Sequence, residues 1–304
     1  MKRGLLFGML AGVGYAIWRE NHREQTIVSL RNKVVILTGA AAGIGRSTAH
    51  AFAREQAHLL LVDRDAQGLA SIQEAVQQYG VSATTLSIDL TDESASSEIV
   101  AYALEKYGRI DVLVNNAGLV ISGDMTLHSQ DAIERVFDTN VIALIRLTQA
   151  VVPIMKRQHS GHIVNVASCA ATMPSAGYVV YGASKGAVMT FSHALRRELG
   201  ADGVRVSYIA SGFINTQMIA HMSEEGMKEA GMISSLTSVG VLEPHHVAEG
   251  ILQAIQFNDY EVIVGQAGYH LSSLLHRLSP RLLDWVFERF TKRDALLETA
   301  HRPE

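Results

Sequence analysis

The stretch "YGASK" places Tyr181 and Lys185 four residues apart, a spacing that puts two side chains on one face of a helix. A phenol with an ordinary pKa of about 10 is a poor base at neutral pH, but a neighbouring ammonium favours the phenolate and lowers that pKa. Ser168 ends the segment "HIVNVAS" and supplies a hydroxyl that can hold a reacting oxygen. Each residue alone also fits an ordinary amphipathic helix or strand end, so the elements around them decide the interpretation.

Those elements follow a regular alternation. From Lys33 onward, short apolar runs rich in β-branched residues alternate with longer amphipathic stretches, and the runs are "VVILTG", "HLLLVD", "ATTLSID", "IDVLVNNAG", "GHIVNVAS", "VRVSYIA" and "YEVIVG". Continuous apolar strands separated by helix-length segments indicate a parallel sheet covered by helices on both faces. The sequence therefore predicts an α/β fold, a single doubly wound Rossmann domain over residues 30–268 with a seven-stranded parallel sheet.

A glycine-rich turn joins the first predicted strand to the first helix. In "TGAAAGIGR", Gly39, Gly43 and Gly45 permit a tight turn and the approach of a pyrophosphate to backbone N–H groups at a helix N-terminus. Asp63 ends the second strand, where a carboxylate accepts hydrogen bonds from ribose hydroxyls and repels a 2'-phosphate. This favours NAD over NADP, although the adjacent Arg64 could pair with that phosphate and leaves NADP open.

Four motifs stand in order along the chain: TGxxxGIG at 38–45, NNAG at 115–118, a serine thirteen residues before Tyr181, and YxxxK at 181–185. Together they resemble the short-chain dehydrogenase/reductase family over roughly residues 30–265, and in particular its membrane-associated, steroid- and retinol-dehydrogenase-like branch. The resemblance implies a hydride transfer between nicotinamide C4 and a carbinol carbon, with exchange of the hydroxyl proton. It also implies a homodimer or homotetramer.

The resemblance further implies a role for individual residues. Tyr181 would be the general acid/base, Lys185 would lower its pKa and bind the nicotinamide ribose, and Ser168 would polarise the substrate oxygen. Asn140, in "FDTNV", would hold a water in a proton relay. The implied cofactor contacts are Gly39, Gly43, Ile44, Gly45, Asp63, Arg64, Asp89, Leu90, Asn116, Ala117, Gly118, Tyr181, Lys185 and Thr216.

Two positions call for comment beside these motifs. The family usually has Pro-Gly after the sixth strand, whereas this chain has Ser211-Gly212, and loss of the proline predicts a less rigid turn on the nicotinamide side. Cys169 follows Ser168 directly, and we expect it to be a small core residue that points away from the pocket.

The bulk composition excludes several classes of function. The chain has 304 residues, a formal net charge of -4 and few runs of lysine and arginine, which argues against nucleic-acid binding. Its single cysteine excludes an internal disulfide framework and a cysteine-based zinc site. The sequence has no HExxH motif and no carboxylate cluster with metal-ligand spacing, so we expect no metal site.

Both ends of the chain differ from its body. Residues 4–18 are uncharged and lie between basic flanks; as a helix at about 1.5 Å per residue they reach roughly 22 Å, short of the roughly 30 Å core of a bilayer. We interpret residues 1–24 as an uncleaved hydrophobic anchor, and a cleaved secretory signal is the alternative. Residues 269–304 form an amphipathic extension that could lie on a membrane or pack against a second subunit.

These segments favour a lipophilic alcohol or ketone as the substrate, and membrane association with the active domain on the cytoplasmic side. The segment before Val241 contains Met218, Met222, Met227 and Met232, which fits either an adaptable wall over the substrate or ordinary core packing.

Two other classes of function fit parts of the sequence. A non-catalytic NAD-binding scaffold or sensor would use the same fold, but it would gain nothing from the complete set of Ser168, Tyr181 and Lys185. A sugar-nucleotide epimerase or dehydratase shares YxxxK, but typically has a GxxGxxG loop and a larger C-terminal substrate region, which this sequence lacks.

Overall fold

The computed structural model describes residues 27–174, 176–212, 214, 242–265, 279 and 281. Its strands are β1 (Val34–Thr38), β2 (His58–Asp63), β3 (Ala83–Ser87), β4 (Val112–Asn115), β5 (Gly161–Val166), β6 (Val204–Ser211) and β7 (Glu261–Val264). Its α-helices are α1 (Gly43–Arg54), α2 (Ala66–Gln77), α3 (Ala95–Tyr107), α4 (Gln130–Phe137), α5 (Ala143–Gln158), α6 (Val179–Leu199) and α7 (Pro244–Phe257). The predicted anchor, Thr216, the four methionines and nearly all of the C-terminal extension lie outside the described residues.

The strands form one parallel sheet with the order β3-β2-β1-β4-β5-β6-β7, so the predicted seven-stranded doubly wound fold is confirmed. Every residue of β1 and β4 is buried, as expected for central strands covered on both faces. The strand order reverses between β1 and β4. In such sheets ligands bind in the crevice beyond the carboxyl ends of the strands at this reversal.

Two apolar cores hold helices to the sheet. Side chains alternate along a strand, so Leu37 and Ile36 of β1 enter opposite cores. Leu37 belongs to the core that includes residues of α1, α2 and α7, and Ile36 to the core that includes residues of α3 and α5. The helices therefore form one layer on each face, and their amino ends lie at the carboxyl ends of the strands.

The helical segment between β4 and β5 contains a wider turn. Residues Asp138–Ile142 adopt π-helical geometry between α4 and α5, and Asn140 in this turn is 1% exposed. Apolar periodicity does not indicate such a turn, and the Asn140 amide within it makes the bonds described below. Within the described ranges, Gln130–Gln158 is also the one helix long and apolar enough to cross a membrane, but Leu147, Val151 and Met155 on it pack in the core.

Candidate active site

Ser168, Tyr181 and Lys185 meet at the carboxyl end of β5. Ser168 lies two residues beyond this strand, and its Oγ accepts a hydrogen bond from the Ala170 backbone N–H at 3.2 Å, which begins a short 3-10 turn. Tyr181 and Lys185 lie one turn apart on α6. Lys185 Nζ donates to the Val166 carbonyl at 3.1 Å, so the side chain reaches back to β5. The structure thus brings together the three side chains that the sequence analysis singled out.

Burial dominates the protonation of the tyrosine and the lysine. Burial raises the pKa of Tyr181 well above its ordinary value, and a hydrogen bond with the Ser168 hydroxyl opposes this only in part. Burial lowers the pKa of Lys185 to about 8. A net lowering of the pKa of the phenol by the ammonium was predicted from the sequence, whereas the net shift in the structure is upward because of burial. Lys185 Nζ lies 5.8 Å from the Tyr181 ring centroid.

The expectation for Cys169 was wrong, because its thiol does not point away from the site. The Ser168 hydroxyl donates to Cys169 Sγ at 3.7 Å, and a charge on the thiol would raise the pKa of Tyr181. Burial raises the pKa of the Cys169 thiol to about 11, which keeps it neutral and weakly nucleophilic at physiological pH. Cys169 is therefore an uncharged neighbour of the reacting groups.

Asn140 joins three segments of the chain around this cluster. Its Oδ1 accepts from the Leu119 backbone N–H at 2.7 Å, and its Nδ2 donates to the Leu119 carbonyl at 2.8 Å and to Ser184 Oγ at 3.0 Å. The Ser184 hydroxyl donates in turn to the Tyr181 carbonyl at 2.7 Å. Both amide protons of Asn140 are used, so a relay water at this side chain would have to donate to Oδ1.

The sequence analysis missed Ser184, the fully buried member of this chain of bonds. The available signal was its position inside "YGASK", three residues after Tyr181 and next to Lys185. The pattern of apolar and polar residues on this helix does not indicate whether Ser184 is buried.

The glycine-rich turn packs tightly against the segment that follows β4. Gly39 has a φ of 67°, and a Cβ there would lie 2.9 Å from both Ala117 Cα and Asn116 Nδ2. The Asn116 amide clamps the turn by donating to the carbonyls of Thr38 and Gly39 at 3.0 and 3.1 Å. Only glycine fits this approach, because any side chain would push the two segments apart.

The first turn of α1 meets the requirements of an anion site. Gly43 has a φ of 51°, Gly45 packs against the Gly39 carbonyl, and Ile44 packs on the core. The N-cap residue is Ala42, whose methyl side chain cannot cap the helix by a hydrogen bond, and the first turn of α1 contains no acidic residue. Its backbone N–H groups and the positive end of the helix dipole are therefore available to a diphosphate.

Asp63 is held in place beside this turn. Its Oδ2 accepts from the Ala41 N–H and its Oδ1 from the Asp65 N–H, both at 3.1 Å. Each carboxylate oxygen keeps a lone pair for a ribose hydroxyl. Arg64 is exposed next to it.

The predicted cofactor contacts Asp89 and Leu90 follow β3. Hydrogen bonds from the backbone and side chain of Thr91, at 2.9 and 2.7 Å, lower the pKa of Asp89, and the charge of Arg64 adds to this effect. Leu90 is half-buried near Thr38 and Ala117, so it lies along the crevice.

The residues Asn116, Ala117 and Gly118 were expected within the fourth strand, but β4 ends at Asn115 and they follow it. A Cβ on Gly118 would lie 3.2 Å from Asn140 Oδ1 and 3.3 Å from Lys185 Nζ. Because Gly118 has no side chain, Asn140 and Lys185 can approach the backbone of the segment after β4 closely.

Ser211, in place of the family proline, is the last residue of β6. Its carbonyl accepts from the Ser168 hydroxyl at 3.4 Å, and Gly212 N–H donates to Val264 at 3.2 Å. The backbone at the start of this turn is thus bonded to the sheet, while the predicted nicotinamide contact Thr216 is outside the described residues.

Comparison with known proteins agrees with this arrangement. The strand order of the parallel sheet reverses beside a glycine-rich turn, and a serine, a tyrosine and a lysine meet at the strand ends. This combination is typical of a dinucleotide-dependent oxidoreductase. A family model described as short chain dehydrogenase matches residues 33–226. The chain belongs to the short-chain dehydrogenase family.

Several relatives span most of the chain. A ketoacyl reductase, HetN, of a Nostoc species is 34% identical over 269 residues, which is 87% of this chain and 91% of the relative. The dehydrogenase/reductase SDR family member 7B of Bos taurus is 31% identical and covers 83% of this chain and 79% of its own length. Among solved structures, a 7α-hydroxysteroid dehydrogenase complexed with NADH and 7-oxo glycochenodeoxycholic acid matches with a TM-score of 0.73 and 28% identity, over 79% of this chain and 95% of that one.

Proposed function

We propose that this protein interconverts an alcohol and its carbonyl with NAD(H), with Tyr181 as the general acid/base. The observation that carries the proposal is the meeting of the Ser168 hydroxyl, the Tyr181 phenol and the Lys185 ammonium beside the crevice at the glycine-rich turn. A nicotinamide dinucleotide would supply the hydride acceptor or donor. Its diphosphate fits the uncapped first turn of α1, and its ribose hydroxyls fit Asp63.

The protein groups would handle the proton. Ser168 would hold the substrate oxygen with its hydroxyl, and Tyr181 would exchange a proton with the same oxygen. Because burial raises the pKa of Tyr181, the phenol holds its proton at neutral pH and is the form that can donate to a carbonyl oxygen. In the oxidation direction, the positive charge of Lys185 and of an oxidised nicotinamide would favour the phenolate.

Asn140 would hold the segments that carry the reacting side chains in place. Its amide ties the loop after β4 and the π-helical turn to α6, which holds Tyr181 and Lys185. A water at Asn140 Oδ1 would continue a proton relay toward Lys185, because this oxygen and Lys185 Nζ approach the same side of Gly118.

We propose NAD as the preferred cofactor, with NADP less favoured. The anchored carboxylate of Asp63 would accept bonds from ribose hydroxyls and repel a 2'-phosphate. Arg64 is the residue that would allow partial use of NADP.

We also propose a lipophilic substrate and a membrane-associated protein with three parts: an anchor over residues 1–24, the catalytic domain over 30–268 and an amphipathic extension over 269–304. The apolar sequences at both ends support this organisation. The similar 7α-hydroxysteroid dehydrogenase was solved with an oxo-steroid, and the relative from Nostoc is a ketoacyl reductase, so apolar carbonyl compounds are the substrates to test first. A homodimer or homotetramer remains the expected assembly.

The test is NADH formation by the detergent-purified full chain over a panel of lipophilic secondary alcohols, retinols and small polar alcohols, with NADP in parallel. Tyr181→Phe should lower kcat by roughly 10²- to 10⁴-fold, the contribution typical of a general acid/base. Tyr178→Phe is the matched control, because its ring lies 6.4 Å from that of Tyr181 and the two meet edge to face.

Turnover that is lost in Tyr181→Phe and kept in Tyr178→Phe would support the proposed roles. NADH binding without turnover of any compound would instead favour the non-catalytic scaffold or sensor. Equal loss in both variants would show that the Tyr178 hydroxyl is needed as much as the Tyr181 hydroxyl, and would contradict a specific proton-transfer role for Tyr181.

A further inference from the structure

The ends of the strands and helices opposite the crevice are rich in exposed arginine. In a parallel α/β domain the helices run back against the strands, so helix carboxyl ends lie beside strand amino ends. Three helices finish there with an exposed arginine, and two more exposed arginines precede β1 or begin β6: Arg54, Arg157, Arg197, Arg31 and Arg205. We call this surface the strand-start face.

These five arginines are not neutralised locally. None of them forms an ion pair with another residue in the part of the chain that the structure describes. The acidic residues Asp111, Glu105 and Asp202 of the same face are already paired with its other basic residues. The remaining carboxylates there include Glu55, Glu198, Asp259 and Glu261, which begins β7. Glu55 and Asp259 accept bonds from glutamine side chains. The strand-start face is therefore basic although the whole chain has a net charge of -4.

The opposite side has the reverse balance. The turns after β2 and β3 and the first turn of α4 contribute five exposed carboxylates, which outnumber Arg64, Arg135 and Arg146 of this side: Asp65, Asp89, Asp92, Glu93 and Asp131. The charge of the domain is thus separated along the strand direction, which gives it a preferred orientation toward a charged surface.

The N-terminal segment leaves the domain from the basic side. Val28 N–H donates to the Gln256 carbonyl at 3.0 Å, at the carboxyl end of α7, and Ile27 is 60% exposed beside it. The 26 residues before Ile27 contain the uncharged stretch 4–18 that the sequence analysis interprets as an anchor. An anchor attached at this point brings the strand-start face, and not the crevice, next to the lipid.

A cavity of about 560 Å³ opens on the same face. Lys33, Arg196 and Arg205 line it together with the buried carboxylate of Asp111. It lies at the far end of the strands from Tyr181, so it does not belong to the proposed active site. Its basic rim has room for a phosphate-bearing headgroup.

We propose that the strand-start face rests on an anionic phospholipid surface, with the cofactor crevice pointing away from the bilayer. Basic residues near a membrane are attracted to the anionic lipids of its cytoplasmic leaflet, which agrees with an active domain on that side. A lipophilic substrate would then leave the bilayer before it reaches Tyr181.

The test is arginine footprinting with phenylglyoxal and mass spectrometry on the full chain, reconstituted into vesicles of phosphatidylcholine alone or mixed with phosphatidylserine. We expect Arg54, Arg157 and Arg205 to react several-fold more slowly on the anionic vesicles, with Arg64 and Arg135 on the other side unchanged. Salt at about 1 M, where the screening length is about 3 Å, should remove the protection. Equal reactivity on both vesicles, or protection of Arg64 and Arg135 instead, would overturn the proposal.

A double variant, Arg54→Gln with Arg205→Gln, sharpens the test. Each arginine near an anionic surface changes the affinity of the domain for that surface roughly fivefold. The double variant should therefore lose most of the protection at Arg157 and Arg197. The control with the same loss of charge is Arg135→Gln with Arg146→Gln, which should retain the protection at Arg157 and Arg197. If both double variants lost the protection equally, the contact with lipid would not be specific to the strand-start face. The readout is lipid contact and not turnover, so its failure would leave the proposed dehydrogenase activity intact.

Discussion

The two ends of the sheet both bury ionisable side chains but treat their charge in opposite ways. At the strand-start face, Asp111 is 4% exposed, and burial alone would raise its pKa. Hydrogen bonds from Arg109 and the Val34 N–H, with the charge of Lys33, hold the pKa below the ordinary value. The buried carboxylate stays ionised because two cations and an N–H compensate it.

At the carboxyl ends of the strands the compensation is missing. Burial raises the pKa of Tyr181 and lowers that of Lys185 to about 8, so both groups move toward their neutral forms. A compensated charge supports the fold, whereas burial without such compensation favours the neutral phenol and the neutral amine. Such pairs are found at functional sites because proton transfer needs them.

The largest expected effect is on catalysis by Lys185. Lys185→Met removes the buried ammonium and its bond to Val166, and kcat should fall by roughly 10²- to 10⁴-fold. Lys33→Met, which removes a lysine from the other end of the sheet, should leave kcat within about twofold of the wild type. Steady-state kinetics with the substrate found in the panel measure both. A similar loss in the two variants would break the contrast between the two ends.

The next effect is on stability at Asp111. Asp111→Asn should lower the free energy of unfolding by about 1–2 kcal/mol, a figure kept small because Lys33 and Arg109 are partly exposed to water. Asp202→Asn breaks the exposed pair with Lys156 and should cost about 0–1 kcal/mol. Denaturant unfolding of the three proteins gives these values.

The same residue gives a pH dependence. The pKa of Asp111 is lower in the folded state than the unfolded value of about 3.9, so the unfolded state binds more protons in acid. Its stabilisation is complete above that value and is lost as the pH falls through the folded pKa. The stability difference between wild type and Asp111→Asn should shrink below about pH 4, and a constant difference down to lower pH would contradict compensation of the charge.

The smallest effect concerns Ser184, which we expect to position Asn140 and Tyr181. Ser184→Ala should lower kcat by roughly tenfold and stability by about 1 kcal/mol. Ser192→Ala is matched to it, because Ser192 is also buried on α6, accepts from the Asn165 amide at 2.9 Å and donates to a carbonyl at 2.7 Å. Ser192→Ala should show the same loss of stability with kcat unchanged. A fall in kcat for both would mean that general loosening of α6, and not the bond to Asn140, sets the rate.

Local patterns were enough to predict the strands, because a central strand of a parallel sheet must be apolar along its whole length, as "VVILT" and "VLVN" are. The glycine-rich turn was predictable for a similar reason, since the positive φ of Gly39 and its contact with Ala117 exclude other residues. Sequence spacing also placed Ser168, Tyr181 and Lys185 in one site.

Contacts between distant segments were not predictable in the same way. The bond from Leu119 to Asn140 joins residues 21 apart in the chain, and the bond from Asn140 to Ser184 joins residues 44 apart. The direction of the Cys169 thiol depends on how the chain turns after β5, which neighbouring residues alone do not determine.

The sequence by itself determined the α/β fold, the dinucleotide crevice and the residue types at the site, because these follow from short-range periodicity and from the steric demands of glycine. Only the tertiary structure decided the protonation of those residues and the separation of charge between the two ends of the sheet. Both depend on burial and on distances between residues far apart in the chain: the pKa of a phenol follows from its surroundings, and an arginine at a helix end belongs to a basic surface only when the other helix and strand ends lie beside it.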